Sequence, residues 1–279
     1  MVEDGIVDGW DDPRLVSIAA LRRRGFTPES IRLFVELSGV SKSNSSSDYA
    51  MLEYCIREDL KISRKRMMAV LDPVELVIDN YPDGESEELV VPNNLENPEL
   101  GERKVTFSKR LWIERNDFMV DPPRKYFRMF VGNEVRLMNA YLVTCTSYET
   151  DEDGKVIRIH ADYDPESRGG NAPDGRKVRG TIHWVNASDC VDAEVRLYDN
   201  LFSDPEPDAA EDFLACLNPD SLEILTGCKA ESALADAAAP ESFQFLRTGY
   251  FAVDSVDSRP GHLVFNRAVA LKDSFKPKA

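Results

Sequence analysis

Histidine is scarce in this 279-residue chain: His160, His183 and His262 are the three copies, and none stands at the spacing of a catalytic or metal-binding motif. His160 and His183 alternate with apolar residues in strand-like runs, which reads as a structural or solvent-facing role. The five cysteines are scattered and include no Cys-x-x-Cys pair, so neither a disulfide framework nor a zinc site is indicated. There is no G-x-x-x-x-G-K-[ST] phosphate loop, no G-x-G-x-x-G, no H-E-x-x-H and no G-x-S-x-G elbow. The acidic pairs Asp11-Asp12 and Glu87-Glu88 read as solvated loop charges rather than as an acid–base couple. No apolar run approaches the roughly 18–20 residues that span a bilayer, and the start, MVEDGIVDGWDDPR, lacks the apolar centre of a secretory signal. These absences predict a cytoplasmic protein with no membrane span, no resident metal or cofactor, and no self-sufficient active site.

What is present is a foldable composition, with 42% hydrophobic and 30% charged residues. Basic residues number 34 against 50 acidic, a net charge of −16, which argues against a general nucleic-acid coat protein. The imbalance is uneven. Residues 1–70 are neutral, with 11 of each sign, whereas residues 145–279 hold 14 basic and 25 acidic side chains. The cations also clump, at Arg22-Arg23-Arg24, at Arg64-Lys65-Arg66, and at Arg124-Lys125 with Arg128. Such a chain can hold one shaped polyanion at one place and repel it elsewhere.

The first seventy residues read as three to four short helices in a small bundle. LVSIAALRRRG places Leu15, Ile18 and Ala19 on one face and stops at Gly25. Thr27-Pro28-Glu29 is a capped start, and Gly39 closes the helix that follows. The serine run 41–47 offers an N-cap for DYAMLEYCIREDLK, and SRKRMMAVL reads as a last helical piece before Asp72-Pro73. After Pro73 the period changes to short β-branched or aromatic runs such as VELVIDNY, YFRMFV, KVIRIHADY and LVFNRAVAL. DEDG at 151–154 marks a hairpin. Further helices are expected only near Ala209–Leu217 and Glu231–Ala238, and RGGNAPDGR (168–176) is the expected flexible loop. Many short antiparallel strands over about two hundred residues suggest β-barrels or a sandwich.

Arginine beside aromatic and amide side chains is the one chemistry left, and it suits single-stranded RNA, whose unpaired bases can be stacked and read along their edges. YFRMFVGNEVRL is expected to put Tyr126 and Arg128 on one strand face and Arg136 on the next strand. FQFLRTGYF sets Gln244 and Arg247 among aromatics. An ordinary barrel strand with exposed polar residues would read the same way.

GWDDPR (9–14), LRRRG (21–25), CIREDL (55–60), AVLDPVELVIDNY (69–81), YFRMFVGNEVRLMNAY (126–141), DGRKVRGTIHWV (174–185), EVRLYDNLF (194–202), FQFLRTGYF (243–251) and VFNRAVALKDSF (264–275) resemble glutaminyl-tRNA synthetase of the class I type. GWDDPR and LRRRG are shared with glutamyl relatives of archaeal and eukaryotic type; CIREDL and FQFLRTGYF lean towards the glutaminyl enzyme. In that family a HIGH-type motif and a KMSKS-type loop precede the GWDDPR segment. Met1 stands just before it, so the resemblance implies a C-terminal portion that is inactive alone. The fold it implies is α+β and mainly β: a helical subdomain (1–70) followed over 71–279 by two antiparallel β-barrels of the ribosomal-protein-L25-like, anticodon-binding kind. The distal barrel is expected within about 111–199 and the proximal one in the flanking segments.

The resemblance also implies site residues. Arg66 matches an arginine that reads the middle anticodon base, with Gln244 and Arg247 in the same pocket. Arg128 matches an arginine at the third base, Arg136 one at the first, and Lys42 a lysine near the RNA backbone. Lys125, Phe127, Met138 and Leu246 stand where better-known members place Gln, Lys, Arg and Glu. The implied partners are the anticodon stem-loop of tRNA(Gln) and the enzyme's own catalytic domain, with no DNA and no membrane, in a monomer. ATP and Mg²⁺ serve the parent enzyme, and no cofactor is implied for this chain. The same region of a glutamyl or non-discriminating synthetase, or a free-standing paralogue used for protein contacts, are the rival readings.

Overall fold

The computed structural model describes residues 1–39, 47–204 and 206–272. Three α-helices come first, each defined by its ends. Helix α1 (Ile18–Arg24) starts where the Ser17 hydroxyl accepts from Ala20 N at 3.1 Å, and it stops at Gly25, whose φ is +110°. Helix α2 (Pro28–Ser38) is capped by Thr27, which accepts from Ser30 N and donates to Asp59 at 2.7 Å. Helix α3 (Tyr49–Ser63) is capped by Asp48 rather than by a serine. The expected apolar face of α1 is corrected in part: Leu21, also read onto that face, is buried with Ala20, whereas Ile18 and Ala19 are exposed.

Sixteen strands follow among the described residues. They are β1 (Arg66–Met67), β2 (Ala69–Val70), β3 (Pro73–Ile78), β4 (Ser86–Pro92), β5 (Glu102–Ser108), β6 (Arg110–Glu114), β7 (Glu134–Leu137) and β8 (Leu142–Thr150). Next come β9 (Val156–Tyr163), β10 (Gly180–Ile182), β11 (Trp184–Asn186), β12 (Val191–Tyr198), β13 (Leu222–Ala230), β14 (Ser242–Phe245), β15 (Gly249–Val253) and β16 (Leu263–Ala270). One seven-stranded sheet runs β1-β14-β15-β16-β12-β13-β2 and another β10-β7-β8-β9-β3-β6-β11; β4 and β5 form a separate hairpin. In each large sheet the two end strands are consecutive in the chain, parted by one residue, Met68 or His183. Each sheet therefore curls into a nearly closed barrel, which leaves little edge to pair with other chains. Most pairs are antiparallel, but β10 runs parallel to β7 and β3 parallel to β9.

The chain divides into two compact units. The first comprises Met1–Arg66, Glu194–Thr226 and the chain from Ala237 onward; the second comprises Met67–Ala193 and Gly227–Asp236. In the first, Leu21, Phe26, Leu52, Ile56 and Leu60 of the helical segment bury themselves against Tyr250, Ala268 and Val269 of the sheet. Helices this short depend on such packing for their stability. Gly25 sits in this contact: a Cβ there would lie 2.5 Å from the Ala252 Cβ. Beside it, Arg23 reaches Asp254 at 3.0 Å and Asp257 at 3.0 Å, and Asn266 donates to Asp254 at 2.6 Å. The second unit is filled by an aromatic cluster in which Phe107 lies 5.1–5.3 Å from Tyr81, Tyr141 and Trp184. Arg103, half-buried, and Glu231, buried, pair there at 2.7 Å.

Several elements depart from the sequence reading. SRKRMMAVL is not helical but forms β1 and β2. Met67, Met68, Ala69 and Val70 are all buried, and a short wholly apolar run does not distinguish the two states by period. The helices expected near 209–217 and 231–238 are single 3₁₀ turns, Pro207–Ala209, Phe213–Cys216 and Ser232–Leu234. YFRMFV forms no strand. Lys125 takes φ +74°, and the Arg128 carbonyl accepts from Asn133 Nδ2 at 2.7 Å instead of from a ladder. Asp12 is not solvated but buried, bound by Arg14 at 2.6 Å. The DEDG turn does join β8 to β9.

Two outcomes are expected. Burial pushes the Asp254 carboxyl up, but donors from Asp257 N, Asn266, Arg23 and Val256 N together hold it below its ordinary 3.8. A carboxylate held low stabilises the fold above its unfolded pKa and loses that contribution as pH falls through the folded value. Asp254→Asn should cost about 3–5 kcal/mol at neutral pH, because Arg23 is left buried without its partner. The gap from wild type in urea midpoints should narrow below about pH 4; a gap independent of pH would contradict this. Gly25→Ala should cost about 2–4 kcal/mol in the same assay, from the left-handed φ and the overlap with Ala252.

Candidate nucleic-acid interface

The first group of expected RNA contacts is assembled by β1 and β14. These strands are neighbours, and Gln244 N donates to the Lys65 carbonyl at 2.9 Å, so Arg66 and Gln244 share one sheet margin. Arg64 Nε donates to Ser242 Oγ at 2.6 Å and fixes the same margin one step away. Arg247 lies in the three-residue turn from β14 to β15, closed by Thr248 N donating to the Phe245 carbonyl at 3.0 Å. Its φ is +68°, a conformation that glycine adopts readily and an arginine only at a cost. Arg66, Gln244 and Arg247 are all half-buried. The aromatics of FQFLRTGYF do not line the surface. Phe245 stacks on Phe251 at 4.4 Å and meets Phe265 edge-on, and Phe243, Phe245, Tyr250 and Phe251 are all buried. They hold the margin rigid from beneath.

The second group belongs to the other unit. Arg128 is half-exposed and its Nε lies 3.3 Å from the carboxylate of Asp117, which is 1% exposed. Its Nη1 donates to the Asn116 carbonyl at 3.1 Å, and Tyr126 Oη donates to the same oxygen at 3.2 Å. The 3₁₀ turn Arg115–Asp117 thus orients both side chains, although no strand carries them as expected. Arg136, in β7, donates through Nε to the Gly170 carbonyl and through Nη1 to Thr181 Oγ1 at 3.3 Å. A Cβ on Gly170 would strike its side chain. The 168–176 loop expected to be flexible is further held by Arg168 on Glu87 and Arg176 on Glu134.

The expected site residues therefore form two sets, Arg66, Gln244 and Arg247 in one unit and Arg128 and Arg136 in the other. Lys42 lies outside the described residues. Of the basic clumps, Arg22-Arg23-Arg24 is spent internally: Arg23 and Arg24 are buried, and Arg24 lies over the rings of Tyr49 and Tyr198. Sequence reading named Phe127 only as a departure from the family and missed the cluster it belongs to. Phe127, 44% exposed, lies under the Arg179 guanidinium at 5.1 Å, beside a cavity of about 220 Å³ lined also by Asn133, Glu134 and Lys177. Only the basic run RKVR carried a signal for it.

Two of the three histidines are held by partners within the fold. His160 lies 2.9 Å from both Asp79 and Glu149, whose hydrogen bonds push it up, and His183 is buried with Nε2 2.9 Å from the Ala69 carbonyl. Among the described residues no group of three or more His, Cys, Asp or Glu could hold a metal ion. No helix among them is long and apolar enough to cross a membrane.

The anticodon-binding domain of class I tRNA synthetases (E and Q) matches residues 65–164 and again residues 181–254, and the catalytic domain of the same synthetases matches residues 1–62. Glutamine–tRNA ligase of Clostridium perfringens is 52% identical over 279 residues, all of this chain and 50% of that protein. The Bradyrhizobium diazoefficiens and Vibrio vulnificus glutamine–tRNA ligases are each 50% identical over 275 residues, 99% of this chain and 49% of theirs. The chain spans about half the length of these curated relatives. With matches to one family following one another from residue 1 to residue 254, the chain belongs to the class I tRNA synthetases (E and Q) and carries the anticodon-binding portion of a glutaminyl-tRNA synthetase.

Proposed function

We propose that this chain selects tRNA(Gln) by gripping its anticodon loop, as the C-terminal part of a cytoplasmic, monomeric glutamine–tRNA ligase. The observation that carries the reading is the pairing of β1 with β14, which sets Arg66 beside Gln244 within a region that matches the anticodon-binding domain. Arg66, Gln244 and Arg247 act on the middle base. A guanidinium and an amide offer donors and acceptors to a base edge, and a wrong base does not return the hydrogen bonds that these half-buried groups offer it. Arg128, oriented by Asp117, acts at the third base, and Arg136, through the loop it holds, at the first. Lys42 contributes a phosphate contact. The whole enzyme joins glutamine to its tRNA with ATP and Mg²⁺ in a catalytic domain that docks with this portion.

Titration with a synthetic anticodon stem-loop tests the reading. Arg66→Ala and Arg128→Ala should each cost about 1–3 kcal/mol in cognate affinity. Gln244→Ala should cost less but relax discrimination at the middle base. Lys42→Ala should weaken all RNAs alike and flatten the log–log salt dependence by roughly 0.7. If the cognate-to-altered affinity ratio is the same for wild type, Arg66→Ala and Gln244→Ala, the middle-base pocket is wrong. Arg247→Gly adds a check on the turn. It removes the side chain in a conformation that suits glycine, so stability should stay within about 1 kcal/mol of wild type while affinity falls.

A further inference from the structure

We propose that Phe127 and Arg179 form a stacking platform for one unpaired nucleobase; this rests on the RNA-binding reading and adds a contact to it. Phe127 is a large aromatic side chain left 44% exposed. Tyr81, Phe107, Phe118, Tyr141 and Trp184 of this unit are buried, Phe107 and Trp184 completely. Arg179, also exposed, holds its guanidinium 5.1 Å from the Phe127 ring centroid. A ring already joined to a cation is the arrangement that extends to a third flat π-system, because a base can stack on the ring while the cation answers a neighbouring phosphate. The adjoining cavity of about 220 Å³ is lined by Asn133, Glu134, Lys177 and Arg179 as well as Phe127, and so offers amide, carboxylate and cationic groups to a base edge. Arg176 engages Glu134 at 2.7 Å, which offsets the one acid in that lining.

The backbone is shaped to keep this ring in place. Gly180 begins β10, and a Cβ there would lie 2.0 Å from the Phe127 carbonyl oxygen, so only glycine lets the 126–130 segment run this close to the sheet. Lys125 holds φ +74° two residues earlier, a left-handed turn that sets the approach of the segment. Arg128, next in sequence, is held independently by Asp117 and Asn116. Two neighbouring side chains are thus fixed by separate means, one as a charged hydrogen-bond donor and one as a flat apolar surface. An unpaired base of single-stranded RNA uses both.

The experiment titrates the full chain into a synthetic anticodon stem-loop carrying 2-aminopurine at one loop position at a time, reading fluorescence and affinity together. Wild type should quench one position strongly. Phe127→Leu keeps apolar bulk but loses the π face; it should abolish the quench at that position and weaken binding roughly ten- to a hundredfold. Phe127→Trp should restore both, and Arg179→Gln should weaken binding less and leave part of the quench. Gly180→Ala should lose the quench at that position while far-UV circular dichroism stays native. If Phe127→Leu binds and quenches like wild type while Arg66→Ala weakens binding, the platform is wrong and the RNA-binding reading stands. If wild type binds no stem-loop at all, both are wrong.

Discussion

A single buried carboxylate organises the first unit. Asp254 has no exposed side-chain surface, yet it is charged, because Arg23, Asn266 and the backbone N–H groups of Val256 and Asp257 all donate to it. Asn266 also donates to the Arg23 carbonyl and accepts from the Tyr198 hydroxyl at 2.9 Å. One anion therefore ties α1, β12, the end of β15 and β16 together. Apolar packing of the helices on the sheet supplies most of the favourable free energy. Packing alone tolerates sliding, however, whereas a satisfied buried charge network accepts one register. The same network settles the use of the arginine run that follows α1's start: its middle and last members face inward, so the neutral charge balance of residues 1–70 does not translate into a cationic surface.

The helices were legible in the sequence where their ends are chemical: Thr27, Gly25 and Gly39 each do something a neighbour cannot, whereas the Ser17 cap of α1 was not read. Strands with alternating burial, such as β3 and β6, were legible for the same kind of reason. The failures occur where a local pattern is mute. Met67 to Val70 are buried throughout, so neither period shows. β13 was missed because Leu222–Ala230 is largely exposed and contains Gly227. YFRMFV has strand composition, but Pro122, Pro123 and the left-handed Lys125 turn it into an irregular segment whose backbone is satisfied by side chains. At the candidate site, residue chemistry alone suggested RNA, and the resemblance assigned positions. Neither could pair Phe127 with Arg179, fifty-two residues apart in sequence. That pairing depends on the passage of one loop over Gly180, and only the fold brings it about.

Backbone strain falls at one of the proposed contacts, Arg247, and two residues before another, Phe127. Among the described residues, three non-glycine residues have positive φ, namely Lys125, Asn139 and Arg247. Asparagine adopts this conformation with little penalty, whereas a long cationic side chain costs on the order of 1 kcal/mol. Glycine at 125 or 247 would relieve that cost. For Arg247, the one of the three among the proposed contacts, a turn fixed in this way would leave fewer conformations to be ordered on binding.

A protein with a net charge of −16 that binds RNA must rely on contacts at short range. Beyond about 8 Å at physiological salt its surface charges are screened, and their sum repels the backbone. The cations near the proposed contacts are paired with acids as well, Arg128 with Asp117 and Arg176 with Glu134. Pairing reduces the attraction of a guanidinium for phosphate in general, but it fixes the direction of the N–H groups that remain. The result favours an RNA that presents the right base at the right angle over one that merely carries charge. Stacking on Phe127 follows the same logic, since a π face adds affinity for an unpaired base and none for a phosphate. In the proposed mode of binding, an acidic chain of this kind gives up encounter rate and non-specific affinity and discriminates through directed short-range contacts.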